Sequence, residues 1–130
     1  LKNLKMLHWS FFEKWDENKH MILAKKFCGL KDASVKEKNA INKHSHTDQK
    51  MFALHMYLAY LKYGFSRATS DTSIEIRHGR LTKNQAIKIT KKYDHLFPKE
   101  YLKDYCRYFN ISKKNFFSIL LKHTNKNLFE

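Results

Sequence analysis

From Asp48 to Gly64 the chain reads DQKMFALHMYLAYLKYG. Placed on a helical wheel, Met51, Phe52, Leu54, Met56, Tyr57, Leu58 and Leu61 spread almost all the way round. A helix apolar on nearly every side is stable in water only when other elements cover it. The run therefore predicts a buried central helix, ended by Gly64. Its neighbours should be helices too. Three Gly and one Pro in 130 residues are too few for a turn-rich β fold. With 42% apolar and 15% aromatic residues, the chain has material for a core and lacks the composition of a disordered segment.

The helix boundaries are written in capping residues. DENKHMILAKKFCG reads as a helix with Asp16 as N-cap, an apolar stripe of Ile22, Leu23 and Phe27, and Gly29 as its stop. Residues 31–47 are polar and aperiodic, and read as a loop. A helix over 69–78 closes at Gly79. Thr82 and Gln85 form a capping box for the next, which runs to about Tyr93. Pro98 suits the first turn of another, to about Tyr108. Ser112 caps a last one, with Phe116, Phe117, Leu120 and Leu121 facing inward. The expected fold is mainly α, with about five to six helices over residues 16–130. Residues 1–15, with the aromatic run Leu4–Trp15, read as strand and loop closing an upstream domain. The chain begins at Leu1 rather than Met, which fits that expectation.

The formal net charge is +14. Such a balance points first to nucleic acid. However, 22 of the 26 basic residues are Lys, and only Arg67, Arg77, Arg80 and Arg107 offer the guanidinium fork that base and phosphate readers favour. The charge is spread along the chain and forms no basic arm. Nucleic acid is therefore an unlikely partner, and a basic helical nucleic-acid-binding module stands as the second reading. Cys28 and Cys106 lack metal or redox spacing and read as free thiols. No run is long enough to cross a membrane and no signal peptide is evident. A cytoplasmic protein without membrane contact is expected.

One stretch carries concentrated chemistry: RATSDTSIEIRHG, Arg67 to Gly79. On a helix, Arg67, Asp71, Glu75 and His78 fall on successive turns of one face. Asp71 and Glu75 are like charges four residues apart, so Arg67, Arg77 or a ligand should offset them. The small residues Ser66, Ala68, Ser70 and Ser73 leave the backbone open to a ligand. The plainer alternative is an Arg67–Asp71 ion pair on a wet surface. At Lys14-Trp15-Asp16 a cation, a large ring and a carboxylate meet at a loop-to-helix junction, where binding groups are often displayed. Trp9, Phe11 and Phe12 beside it read as core. His55 sits in the most apolar helix and reads as a core histidine with one hydrogen bond. His44, His46 and Asp48 lack a further ligand in register, so no metal site is expected. No catalytic residue is singled out.

The segment HMYLAYLKYGFSRATSDTSIEIRHGRLTKNQAIKITKKYD resembles the C-terminal region of the N-acetyl sugar amidotransferases of bacterial surface-polysaccharide and flagellin-sugar biosynthesis. The matching positions are His55, Tyr57, Leu58, Lys62, Gly64, Phe65, Arg67, Ala68, Asp71, Glu75, Ile76, Arg77, Gly79, Tyr93 and Asp94. FFEKWD resembles that family's aromatic Lys-Trp-Asp junction. The loop 31–47 departs from the pattern. The resemblance implies an enzyme of the PP-loop ATP pyrophosphatase type, whose upstream part is an α/β domain. It would use ATP and Mg²⁺ to adenylate an acetamido group on an amino sugar, free or nucleotide-linked. Ammonia from glutaminase partner proteins would then give an acetamidino group. The ATP loop, Ser-Gly-Gly-x-Asp-Ser, belongs to the N-terminal half and is absent here, so this chain alone is expected to be inactive. The implied substrate-binding residues are Arg67, Asp71, Glu75, Arg77, Lys14, Trp15, Asp16 and His55. Arg67 and Arg77 would hold anionic groups. Asp71 and Glu75 would meet sugar hydroxyls, Mg²⁺ or ammonia. The alternative within this frame is a structural cap that docks the glutaminase partner.

Overall fold

Seven α-helices occur among the described residues. They are α1 (Glu17–Cys28), α2 (Lys50–Tyr63), α3 (Arg67–Arg77), α4 (Lys83–Tyr93), α5 (Leu102–Tyr108), α6 (Lys113–His123) and the single turn α7 (Lys126–Phe129). Three of them, α1, α4 and α6, are opened by a side-chain cap of their own. The computed structural model describes residues 4–34, 39–45 and 49–129, and no strand occurs among them. Short 3-10 turns occupy Trp9–Phe11 and Lys99–Tyr101. The chain divides into two compact units, Leu1–Lys31 and Asp32–Glu130.

In the first unit Asp16 caps α1, its Oδ1 accepting from the amides of Asn18 at 3.1 Å and Lys19 at 3.4 Å. The cap sits where the sequence puts it, but the packing differs. The stripe Ile22, Leu23 and Phe27 is exposed, as are Trp9, Phe11, Phe12 and Trp15. Periodicity tells which side chains share a face. It does not tell what covers the face, and no described residue of this unit covers this one. Residues 4–15 form no strand, since a strand needs a pairing edge and the described residues supply none. Helix α1, counted from sequence with the helical domain, lies in this first unit.

The second unit is built around Tyr105, which is wholly buried. With Leu54, Phe116 and Leu120 it forms the core, flanked by Tyr57, Leu61, Phe97, Tyr101, Leu102, Cys106 and Ile111. Its ring stacks on Phe116 at 6.1 Å, and its hydroxyl donates to the Lys50 carbonyl at 2.8 Å. The hydroxyl thus finds an acceptor on the first residue of α2 while the ring fills the centre. Helix α2 is less buried than its sequence suggests. Ala53 and Leu54 are covered, but Met51 and Leu58 are exposed. Helices α5 and α6 shield the Leu54 side of α2, Asn39 and Arg67 lie against Ala53 and Phe52, and the face of Met51, His55 and Leu58 is left exposed. The inward face of α6 likewise narrows to Phe116 and Leu120, while Phe117 and Leu121 are exposed.

Helix α2 ends at Gly64, whose φ of +79° only glycine adopts without strain and whose amide donates to the Tyr60 carbonyl. Asn110, at φ +52°, plays the same part after α5. Helices α3 and α4 then form a hairpin. The capping box at Thr82 and Gln85 is present, and Ser112 caps α6 through the Asn115 amide. Helix α7 adds a turn that the sequence does not announce. Asn125 ties its start to α2, donating from its amide to the Leu61 carbonyl at 2.9 Å and from Nδ2 to the Lys62 carbonyl at 3.2 Å.

Two outcomes follow from this core. Tyr105→Phe should cost about 1 kcal/mol, the net worth of one hydrogen bond, and Tyr105→Ala about 3–5 kcal/mol as a large aromatic lost from a core, both read by urea unfolding. Separately, a 2.6 Å hydrogen bond from Lys50 holds the Asp104 carboxyl below its ordinary value of 3.8, helped by Arg107. A carboxyl depressed by folding contributes stability above its unfolded value, and that contribution is lost as pH falls through the folded value. Asp104→Asn should therefore flatten the decline of melting temperature with acid below about pH 4.

Candidate functional site

Helix α3 carries the charged motif, and it distributes those charges to different tasks. Arg67 opens the helix and is 3% exposed. Its Nη2 lies 2.6 Å from both the carbonyl oxygen and the Oγ of Ser45, and 3.4 Å from Asn42 Oδ1. Its Nε lies 3.7 Å from Asp71 Oδ2, and its guanidinium sits 5.4 Å from the centre of the Phe52 ring. Asp71 in turn accepts from the Ile41 amide at 3.5 Å. The Arg67–Asp71 pair is thus formed, but inside the protein rather than on a wet surface. The segment 39–45 covers it. Asn42 Oδ1 orders that segment by accepting from the amides of His44 and Ser45, a local turn that offers its oxygens to one guanidinium.

Glu75 is answered by Arg80, not Arg77. Arg80 Nε and Nη2 lie 2.5 and 2.8 Å from its two oxygens in a two-point fork. The chain reverses at Gly79, which brings Arg80 back over the last turn of α3. Asp71 and Glu75 each therefore have a guanidinium, and their mutual repulsion is offset within the protein. Arg77 differs. Ten residues from Arg67 on a helix of 3.6 residues per turn, it sits about 80° round the axis. It is exposed, and no described residue partners it. It lines an open groove of about 430 Å³ with Phe65, Thr69, Ser70, Ser73 and Ile74.

The start of α3 is fixed by a residue that the sequence does not mark as functional. Asp94, at the end of α4, is 5% exposed. Its Oδ1 accepts from the Thr69 amide at 3.1 Å, and its Oδ2 accepts from the Thr69 hydroxyl. Ser66, which precedes the helix, makes no capping bond of its own. A carboxylate thus caps α3 from the neighbouring helix, where its charge also suits the helix N-terminus. Capping from a distance has no local sequence signature.

The other expected site residues are placed elsewhere. His55 is exposed rather than in the core, with the Phe52 ring 6.3 Å away. Trp15 packs on His20 at 4.4 Å, Asp16 is the cap of α1, and Lys14 is exposed, all in the first unit. His46 and Asp48, weighed as zinc ligands, lie outside the described residues, as do residues 35–38 of the loop. No group of three His, Cys, Asp or Glu able to hold a metal occurs among the described residues. No helix among them is long and apolar enough to cross a membrane.

Removing Arg67 should take the guanidinium away from Asp71 and from the two Ser45 oxygens. Arg67→Met is expected to cost about 3 kcal/mol, as for one partner of a buried pair, and to speed hydrogen exchange at the amides of residues 41–45. Arg77→Ala should change stability by no more than about 0.5 kcal/mol, as at an exposed position. Equal costs at the two positions would contradict this division.

The family model described as the C-terminal domain of LPS biosynthesis protein WbpG-like proteins matches residues 10–130. No curated protein matches the chain.

Proposed function

Since the chain belongs to the WbpG-like C-terminal domain family of LPS biosynthesis proteins, we propose that it forms the substrate side of an ATP-dependent sugar amidotransferase. The reaction converts an acetamido group to an acetamidino group. The carbonyl oxygen displaces pyrophosphate from ATP, ammonia adds at the activated carbon, and AMP leaves with that oxygen. The residues of this chain do not suit the ATP phosphates. Its three glycines, Gly29, Gly64 and Gly79, each follow a helix at positive φ and form no phosphate cradle. The proposal therefore assigns ATP and its Mg²⁺ to a separate PP-loop domain, ammonia to a glutaminase partner, and the site of action to the cytoplasm.

What remains for this chain is to bind and orient the sugar. The observation that supports this most is Arg77, a guanidinium without a partner among the described residues, on the wall of an open groove. An unpaired guanidinium beside the small hydroxyl side chains of Ser70 and Ser73 suits an anionic, hydroxylated substrate. Arg67 and Asp71 serve the same site indirectly, by fixing the face of α3 against segment 39–45. Under this reading the basic charge of the chain favours anionic sugar substrates rather than a nucleic-acid duplex.

The test uses the full-length enzyme with ATP, an ammonium salt and an N-acetylated anionic amino sugar, and follows AMP release. Arg77→Ala should lower kcat/KM at least ten-fold, mainly through KM, with the melting temperature unchanged. An Arg77→Ala enzyme as active as the parent would remove α3 from the substrate site. Absence of sugar-dependent AMP release from the parent would overturn the activity itself.

A further inference from the structure

A second cleft opens on the other side of Thr69. It has a volume of about 320 Å³, and its walls include Tyr60, Thr69, Thr90, Lys91, Asp94 and His95. That size is at the small end of the roughly 300–1,000 Å³ of small-molecule sites. Two opposite charges stand on it without pairing. Asp94 is buried, yet no basic side chain among the described residues lies within ion-pair distance of it. Lys91 lines the same cleft, one turn earlier on α4, and is likewise without a partner among them.

The polar groups can be counted. An ionised carboxylate has about four acceptor positions. Thr69 fills two of those on Asp94, which leaves two. Thr90 donates its hydroxyl to the Ile87 carbonyl at 3.1 Å, so its lone pairs stay available. The Tyr60 hydroxyl, the Lys91 ammonium and the His95 ring make no hydrogen bond to a described residue. The cleft therefore presents a buried carboxylate, an exposed ammonium and imidazole, and the aromatic ring of Tyr60 on its walls. A carboxylate with two open acceptor positions suits neighbouring hydroxyls. An ammonium beside an imidazole suits an anion.

We propose that this cleft binds a hydroxylated small molecule bearing an anionic group, a sugar phosphate or a sugar acid. The hydroxyls meet Asp94 and Thr90, the anion meets Lys91 and His95, and the ring of the ligand lies against Tyr60. The inference deepens the function proposed above, because it places the sugar in a defined cleft next to the Arg77 groove, with Thr69 on the wall of both. Asp94 then has two tasks, holding the start of α3 and reading the ligand, so that α3 is fixed by the same carboxylate the ligand touches.

The experiment is calorimetric titration of the intact protein with glucuronate, glucose 1-phosphate, glucose and inorganic phosphate. At least one of the two anionic sugars should bind, and glucose and phosphate each at least ten-fold more weakly. The tighter of the two anionic sugars identifies the anion. Lys91→Ala and His95→Gln, both at exposed positions that leave the core intact, should weaken the anionic sugar at least five-fold while glucose is unchanged. Asp94→Asn should weaken glucose and the anionic sugars alike. Failure of both anionic sugars to bind would overturn the proposal. So would phosphate binding as well as they do, or binding indifferent to Lys91 and His95. AMP release that survives Lys91→Ala unaltered would remove this cleft and leave the amidotransferase reading standing. Sugar binding without any AMP release would do the reverse.

Discussion

The buried guanidinium of Arg67 is the constraint around which the α3 region is arranged. A charged group at 3% exposure is tolerable only when its donors are met. Here they are met by a loop, not by another helix. Ser45 supplies two oxygens and Asn42 a third, so segment 39–45 is held wherever Arg67 stands. Asp71, one turn along, takes the Ile41 amide and draws the same segment down onto the helix. A hydrophobic side chain at position 67 would take their shared guanidinium donor from those oxygens. The polar side chains of Asn42 and Ser45 thus have a physical cause: they satisfy an internal charge.

The local parts of this arrangement were legible in the sequence. Asp16, Ser112 and the Thr82–Gln85 pair each cap the helix their spacing implies, because a cap acts within three residues of itself. Gly64 ends α2 for the same local reason. Burial was less legible. Ile22, Leu23 and Phe27 do share a face, yet they are exposed, since covering a face depends on a second element that periodicity cannot supply. Helix α2 shows the intermediate case. Its apolar circumference is real, but α5 and α6 cover only part of it.

The candidate site divides along the same line. That Arg67 and Asp71 would meet was readable from their four-residue spacing, whereas their burial was not. Arg80 as the partner of Glu75 depends on the reversal at Gly79. Asp94 depends on the α3–α4 hairpin, which sets residues 69 and 94 side by side. Neither contact has a short-range pattern. The resemblance did include Asp94, within a helix ending in Tyr-Asp, but gave it no role. Its place in the fold provides one.

Helix α3 can hold a structural charge and an available one because a helix separates its residues by angle. Arg67, Asp71 and Glu75 lie within about 80° of one another at 100° per residue, and segment 39–45 together with Arg80 occupies that side. Ala68 and Thr72 turn inward and are buried. The remaining arc carries Thr69, Ser70, Ser73 and Arg77, with Ile74 and Phe65 beside them on the wall of the open groove. A carboxylate placed there would neutralise Arg77, and the sequence places none. Within one helix, the acids are gathered where cations already answer them, and a cation is left where no described residue does. Under the function proposed above, that asymmetry keeps this surface for an anionic ligand rather than for the protein itself.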